Sequence, residues 1–172
     1  MAQLSYSIDI PAASFPGQLA DSTRNKVQTA ISALGPIAYG TLVCLDKVNS
    51  LGQDMCGRAP VGAGDLDPKN VLGIALSDQA RAQNPGITGG PAYEQGVAVS
   101  CLYSGKVYVV PEQAVANGDP VYVRYTLDSG VPAGVLGGFS NAAGAGLGLL
   151  ANAVFRSSAA QGGYAVLSIN EA

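Results

Sequence analysis

The sequence predicts a mainly β protein: a single-domain antiparallel β-barrel or sandwich with an extended N-terminal arm and long Gly-rich loops. Three observations lead there. Short segments rich in Val, Leu, Ile and Tyr recur from Tyr39 onward, each bounded by Gly, Pro, Asn or Asp. No stretch after Tyr39 holds a helical period long enough to supply the crossover helices of a parallel sheet. Gly96 to Val110 alternates apolar and small or polar residues at a period of two, as a half-buried strand requires. A chain of 172 residues is long enough for one domain with its own core.

The arm is expected over residues 1–36 and the β-rich domain over 37–172. Pro11, Pro16 and Gly17 break up the apolar groups of the opening segment, which favours extended chain over a packed element. Within it, Asp21 to Leu34 also fits an amphipathic helix, with Val27, Ile31 and Leu34 on one face and Asp21 or Ser22 as cap. The first strand signal is YGTLVCLD from Tyr39, between Pro36 and Asp46. Asn49 to Pro68 reads as loop. Val71 to Leu76 is a short, continuously apolar strand, and Gly73 inside it marks a bulge or a close backbone approach. Asp78 to Glu94 contains the turn signals Asn84-Pro85-Gly86 and Gly89-Gly90-Pro91.

In Gly96 to Val110, Val97, Val99, Cys101 and Tyr103 alternate with Ala98, Ser100 and Leu102 before Ser104-Gly105, which reads as the two-residue turn of a β-hairpin. Its second arm stops at Pro111, which has no N–H to donate. Asn117-Gly118-Asp119-Pro120 is a further turn leading into VYVRYT, with Val121, Val123 and Tyr125 on one face and Tyr122 and Arg124 on the other. Ser129 to Leu149 is Gly-rich and expected as loop, although AAGAGLGLL also fits part of a strand. Ala151 to Arg156 and Gly163 to Ile169 are the closing strands, with SSAAQGG as the turn between them.

Only 12% of the residues are charged, about half the ~25% usual in soluble domains, so much of the surface is uncharged and suited to burial against partners. The net charge is −3 and the nine Lys and Arg are scattered singly, which argues against a nucleic-acid partner. Met1 to Ile10 lacks a basic and apolar leader, and no apolar run reaches the ~18 residues that span a bilayer, so a soluble protein made in the cytosol with no membrane partner is expected. Cys44, Cys56 and Cys101 cannot all pair within one chain and match no zinc spacing; Cys44 and Cys101 lie in apolar runs and read as buried thiols.

The sequence contains no histidine, which removes Ser-His-Asp and Cys-His arrangements, and no catalytic residue is expected. Its acids mostly stand where turns need them, as at Asp46, Asp119 and Asp128. Asp54, Asp65 and Asp67 share one Gly-rich loop but match no Ca²⁺ spacing, so neither metal nor cofactor is expected. Gly144 to Gly148 lacks the ending of a phosphate-binding loop. Tyr103, Tyr108, Tyr122 and Tyr125 lie within strands and read as core before they read as a sugar platform.

Six segments occur in an order that resembles the tailed-phage capsid decoration or structural cement protein family. They are FPGQLAD (Phe15 to Asp21), IAYGTLV (Ile37 to Val43), NVLGIALSD (Asn70 to Asp78), YEQGVAVSCLYSGKVYVV (Tyr93 to Val110), ANGDPVYVRY (Ala116 to Tyr125) and ANAVFRSSAAQGGYAVLSIN (Ala151 to Asn170). The resemblance implies a non-enzymatic β-rich virion protein on the capsid exterior. It would bind the major capsid protein, commonly as a homotrimer, and stabilise the shell against packaged DNA. It also tips Asp21 to Leu34 toward the extended form. Phe15, Pro16, Gly17, Gln18, Leu19 and Asp21 are the expected contact arm, because they precede the first strand and have no evident local hydrogen-bond partner. A carbohydrate- or receptor-binding virion surface module is the alternative, and would carry an exposed aromatic platform.

Overall fold

The computed structural model describes residues 15–20, 25–46, 55–78, 92–127 and 134–171. Its strands, in chain order, are β1 (Lys26–Ser32), β2 (Ile37–Ala38), β3 (Leu42–Leu45), β4 (Cys56–Arg58), β5 (Val71–Ala75), β6 (Ala92–Tyr93), β7 (Ala98–Val109), β8 (Pro120–Arg124), β9 (Phe139–Ser140), β10 (Leu147–Phe155) and β11 (Ala165–Ile169). A 3-10 turn, Ala63–Leu66, is the helical element among the described residues.

The larger sheet has the order β1-β4-β3-β5-β7-β11-β10-β8-β9, and β1 also pairs with β7. That extra pairing closes β1, β4, β3, β5 and β7 into a five-stranded barrel, which leaves those strands no open edge. The β1–β4 contact is parallel, at Ile31↔Cys56, and the other pairings of the ring are antiparallel. The second half of the sheet also curls back on itself. Phe139 of β9 bridges to Pro111 just after β7, and Glu112 donates its N–H to the Phe139 carbonyl at 2.8 Å. The mainly β expectation therefore holds, and its form is a barrel.

β7 is shared by the two halves. Val99 and Cys101 point into the barrel core with Ala30, Val43, Leu72 and Ala75. Leu102, Val107 and Val109 point into the other core, with Val121, Val123, Phe139, Phe155 and Leu167. An odd-numbered set thus serves one core before Gly105 and the other core after it. The inserted residue that makes this possible lies between the pairs Val27↔Leu102 and Lys26↔Ser104, where the register slips by one.

The Ser104-Gly105 hairpin is therefore not formed: Ala98 to Val109 is one continuous strand of 12 residues. A hairpin needs its two arms to pair with each other, whereas here residues 98–104 pair with β1 and β5 and residues 105–109 with β11. Gly105 supplies the backbone bend at φ +138° without turning the chain.

β3 and β5 are buried on both faces. Leu42, Cys44, Val71 and Ile74 belong to one core, and Val43, Leu72 and Ala75 to the other, which is why both read as continuous apolar runs rather than alternating ones. The expectation for Gly73 holds. Its φ is +135°, a Cβ there would lie 2.3 Å from the Leu102 carbonyl oxygen, and the β3–β5 register shifts beside it.

Three other expectations are corrected. Lys26–Ser32 is extended, as favoured over the helix, but it is packed as strand β1 rather than left as an arm; Ala30 fills the barrel core, and its outward β-branched neighbours suit a strand. Asn49 to Pro68 contains β4 and the 3-10 turn, and Ser129 to Leu149 contains β9; the start of β10 at Leu147 bears out the strand reading of AAGAGLGLL. These short elements carry little periodicity of their own and form because neighbours supply the hydrogen bonds. The turn signals at residues 84–86 and 89–91, and Asp128 and Asp54, lie outside the described residues.

Candidate contact surface

The segment expected as a contact arm is tied into the fold over residues 15–20. Gly17 donates its N–H to the Tyr108 carbonyl at 2.8 Å, Tyr108 donates to Gln18 O at 2.8 Å, and Ala20 donates to Lys106 O at 3.0 Å. Leu19 thus pairs antiparallel with Val107, continuing along β7 the path that β1 follows. The sequence offered no local partner for the segment; its partner in the fold is β7, far along the chain and invisible to local pattern.

Gly17 also crosses the β3–β5 unit at minimal distance. Its φ is +79°, and a Cβ on it would lie 2.6 Å from Ala75 O and 2.9 Å from Gly40 N. Gly40, at φ +71°, faces it, with room for a Cβ blocked at 2.8 Å by Gly17 N. Two glycines back to back let the chain pass where any side chain would collide. Pro16 and Gly17 thus dock the segment, and Gln18 closes its turn by donating its backbone N–H to Phe15 O at 3.0 Å. Phe15 and Leu19 remain outward, 54% and 38% exposed, whereas Asp21 lies outside the described residues.

A second feature lies on the outer face of β7, β11 and β10. A shallow groove of about 480 Å³ is lined by Lys106, Asn117, Arg156, Val166 and Glu171. Ser168 donates its hydroxyl to one Glu171 oxygen at 2.7 Å, and the other oxygen stands 3.8 Å from Lys106 Nζ.

The tyrosines do not follow the core expectation uniformly. Tyr125 packs against the larger core, Tyr108 and Tyr122 are half-buried, and Tyr103 and Tyr164 are exposed. Tyr103 lies past the Ile169 end of β11 and Tyr164 just before its Ala165 start, so these two rings flank opposite ends of one strand and do not form a shared platform. Tyr39 and Tyr93 meet edge to face at 5.0 Å inside the barrel core, and the Tyr93 hydroxyl donates to Leu76 O at 2.7 Å.

The charged residues supply two buried clusters that local sequence reading missed. Arg124 forms a bidentate pair with Glu112, Nε to Oε1 at 2.6 Å and Nη2 to Oε2 at 2.7 Å, with both side chains nearly inaccessible. Arg58 lies 3.0 Å from Asp65 and 3.6 Å from Asp46. In a chain so short of charge, an Arg within a strand and an acid just after one were the available signal.

Asp65 also accepts the Val61 N–H, and Asp67 holds Lys69 at 3.0 Å, so the described acids of that loop are satisfied by protein groups. Among the described residues no group of three or more His, Cys, Asp or Glu is placed to hold a metal. Cys44, Cys56 and Cys101 are buried and take part in no disulfide, and burial pushes Cys101 up to about 12. Asp119 accepts hydrogen bonds from Ala116 N and Asn141 Nδ2, and these hold its carboxyl below the ordinary range.

A family model described as structural cement protein (E217 gp24/Pam3 gp6) matches residues 2–170. A chain in the solved capsid of Myoviridae Phage XM1 has the same fold, with a TM-score of 0.65 at 16% identity, the alignment covering 91% of this chain and 90% of that one. No curated protein matches the sequence.

Proposed function

Since the chain belongs to the structural cement protein family, we propose that it binds the outer surface of an assembled phage capsid, as a homotrimer, and stabilises the shell without catalysing a reaction. A structural role associated with the capsid and the virion follows from the family itself. The match across residues 2–170 carries the finer reading, because it spans the whole fold rather than one motif. The architecture suits such a role: a closed barrel with few charges and outward apolar side chains can lie against a protein shell without burying unpaired charge.

Phe15 and Leu19 are the proposed apolar contacts of the N-terminal segment. Gly17 fixes where they emerge, so little ordering entropy remains to oppose binding. The major capsid protein is the proposed partner.

The test is co-sedimentation of the purified protein with capsids stripped of it, together with heat inactivation of the decorated and stripped shells. Saturable binding that raises the temperature of shell opening is the expected result. A protein that does not bind, or binds with no gain in shell stability, overturns the reading. Light scattering decides the oligomeric part: three times the 17.3 kDa chain mass is expected, and a monomer both free and on the shell contradicts it.

A further inference from the structure

Arg156 follows β10 at the surface, and among the described residues no carboxylate pairs with it. Its backbone N–H donates to Val166 O at 2.8 Å, which ties the chain just after β10 to β11, and Arg156 is exposed and lines the groove. Val166 pairs with Tyr108, and Lys106 with Ser168, which places Lys106 on the same outer face. Glu171, the acid among the described lining residues, accepts the Ser168 hydroxyl at 2.7 Å and forms a longer ion pair with Lys106 at 3.8 Å. The lining thus combines two cations, one anion, an amide and an apolar Val166, on a chain whose net charge is −3.

We propose that this groove receives an extended, carboxylate-bearing segment of the capsid protein, an inference that rests on the capsid-binding reading above. A guanidinium offers a planar fork that a carboxylate meets with two hydrogen bonds. Lys106 supplies a second positive charge at one side of the groove, Asn117 can hydrogen-bond a passing backbone, and Val166 provides an apolar floor for a neighbouring side chain. The open shape favours a chain laid across the strands over an enclosed small molecule. Two cations set beside an acid, an amide and an apolar residue do not match the repeated phosphates of a nucleic acid.

Full-length protein is titrated onto stripped capsids over a range of NaCl concentrations, with Arg156→Glu, Arg156→Lys and Lys106→Glu beside the wild type. Arg156→Glu is expected to weaken binding by about tenfold or more at low salt and to flatten the salt dependence. Lys106→Glu weakens it in the same sense, and Arg156→Lys retains most of it. Unchanged thermal melting of Arg156→Glu shows that the fold is intact. Wild-type affinity and salt slope in Arg156→Glu overturn the groove assignment while leaving capsid binding in place. If that variant binds capsids normally but loses retention on an anionic polysaccharide, the groove takes a sugar and the peptide proposal falls. A wild-type protein that does not bind capsids overturns both readings.

Discussion

Glu112 and Arg124 bring two full charges into the interior, where each depends on the other. Removing one partner leaves an uncompensated buried charge, so Glu112→Ala is expected to cost about 3–5 kcal/mol in chemical denaturation. Gly73→Ala places a methyl group against the Leu102 carbonyl at a positive φ and should cost about 3 kcal/mol or more, whereas Gly62→Ala, with open space around it, should stay within about 0.5 kcal/mol. Cys101 titrates far above its unfolded value. Its stabilising effect is therefore complete below the ordinary thiol range and is lost as pH rises through that range toward 12. Native protein should resist alkylation at Cys101 at neutral pH and label fully once unfolded, as mass spectrometry would show. Burial of Cys44 and Cys101 was legible because each sits in an apolar run. The Arg124–Glu112 pair was not, since the partners are 12 residues apart and meet only when β9 folds back past Pro111.

Strand β7 shows why an element can be found and still be misread. Its alternation was visible, but Ser104-Gly105 carries the same residues whether the chain turns back or runs on with a bulge. What decides is the supply of partners, β1 and β5 on one side of Gly105 and β11 on the other, and these lie far away in sequence. The docking of residues 15–20 was hidden for the same reason, although Gly17 in Phe-Pro-Gly was a local sign of close approach. Deleting residues 1–20 removes the partners of Tyr108 and Lys106 and the bond from Ser77 N to Gly17 O. Four backbone hydrogen bonds at about 1 kcal/mol each predict a loss of about 4 kcal/mol. Hydrogen exchange at the Tyr108 amide should accelerate in the deletion variant while the Val99 amide, deep in the barrel, remains protected.

The two cores are not independent at the level of the whole molecule, because β3 and β5 contribute to both. Val43→Ala, in the barrel core, and Phe155→Ala, in the other, should lower one and the same unfolding transition. The expected cost is about 3–5 kcal/mol for Phe155 and less for Val43. Two separate transitions by circular dichroism would contradict the coupling. Fold class was legible at this scale because strand-sized apolar runs and turn residues repeat after Tyr39; the choice of barrel over sandwich was not, since it depends on β1 meeting both β4 and β7. The shared β7 also gives the protein a mechanical grain. Tension along its axis loads the ladders to β1, β5 and β11 in shear, so many hydrogen bonds must yield together. A pull across the sheet peels the same ladders open one bond at a time, so a subunit seated with β7 along the line of stretch would resist strain that another orientation would let pass.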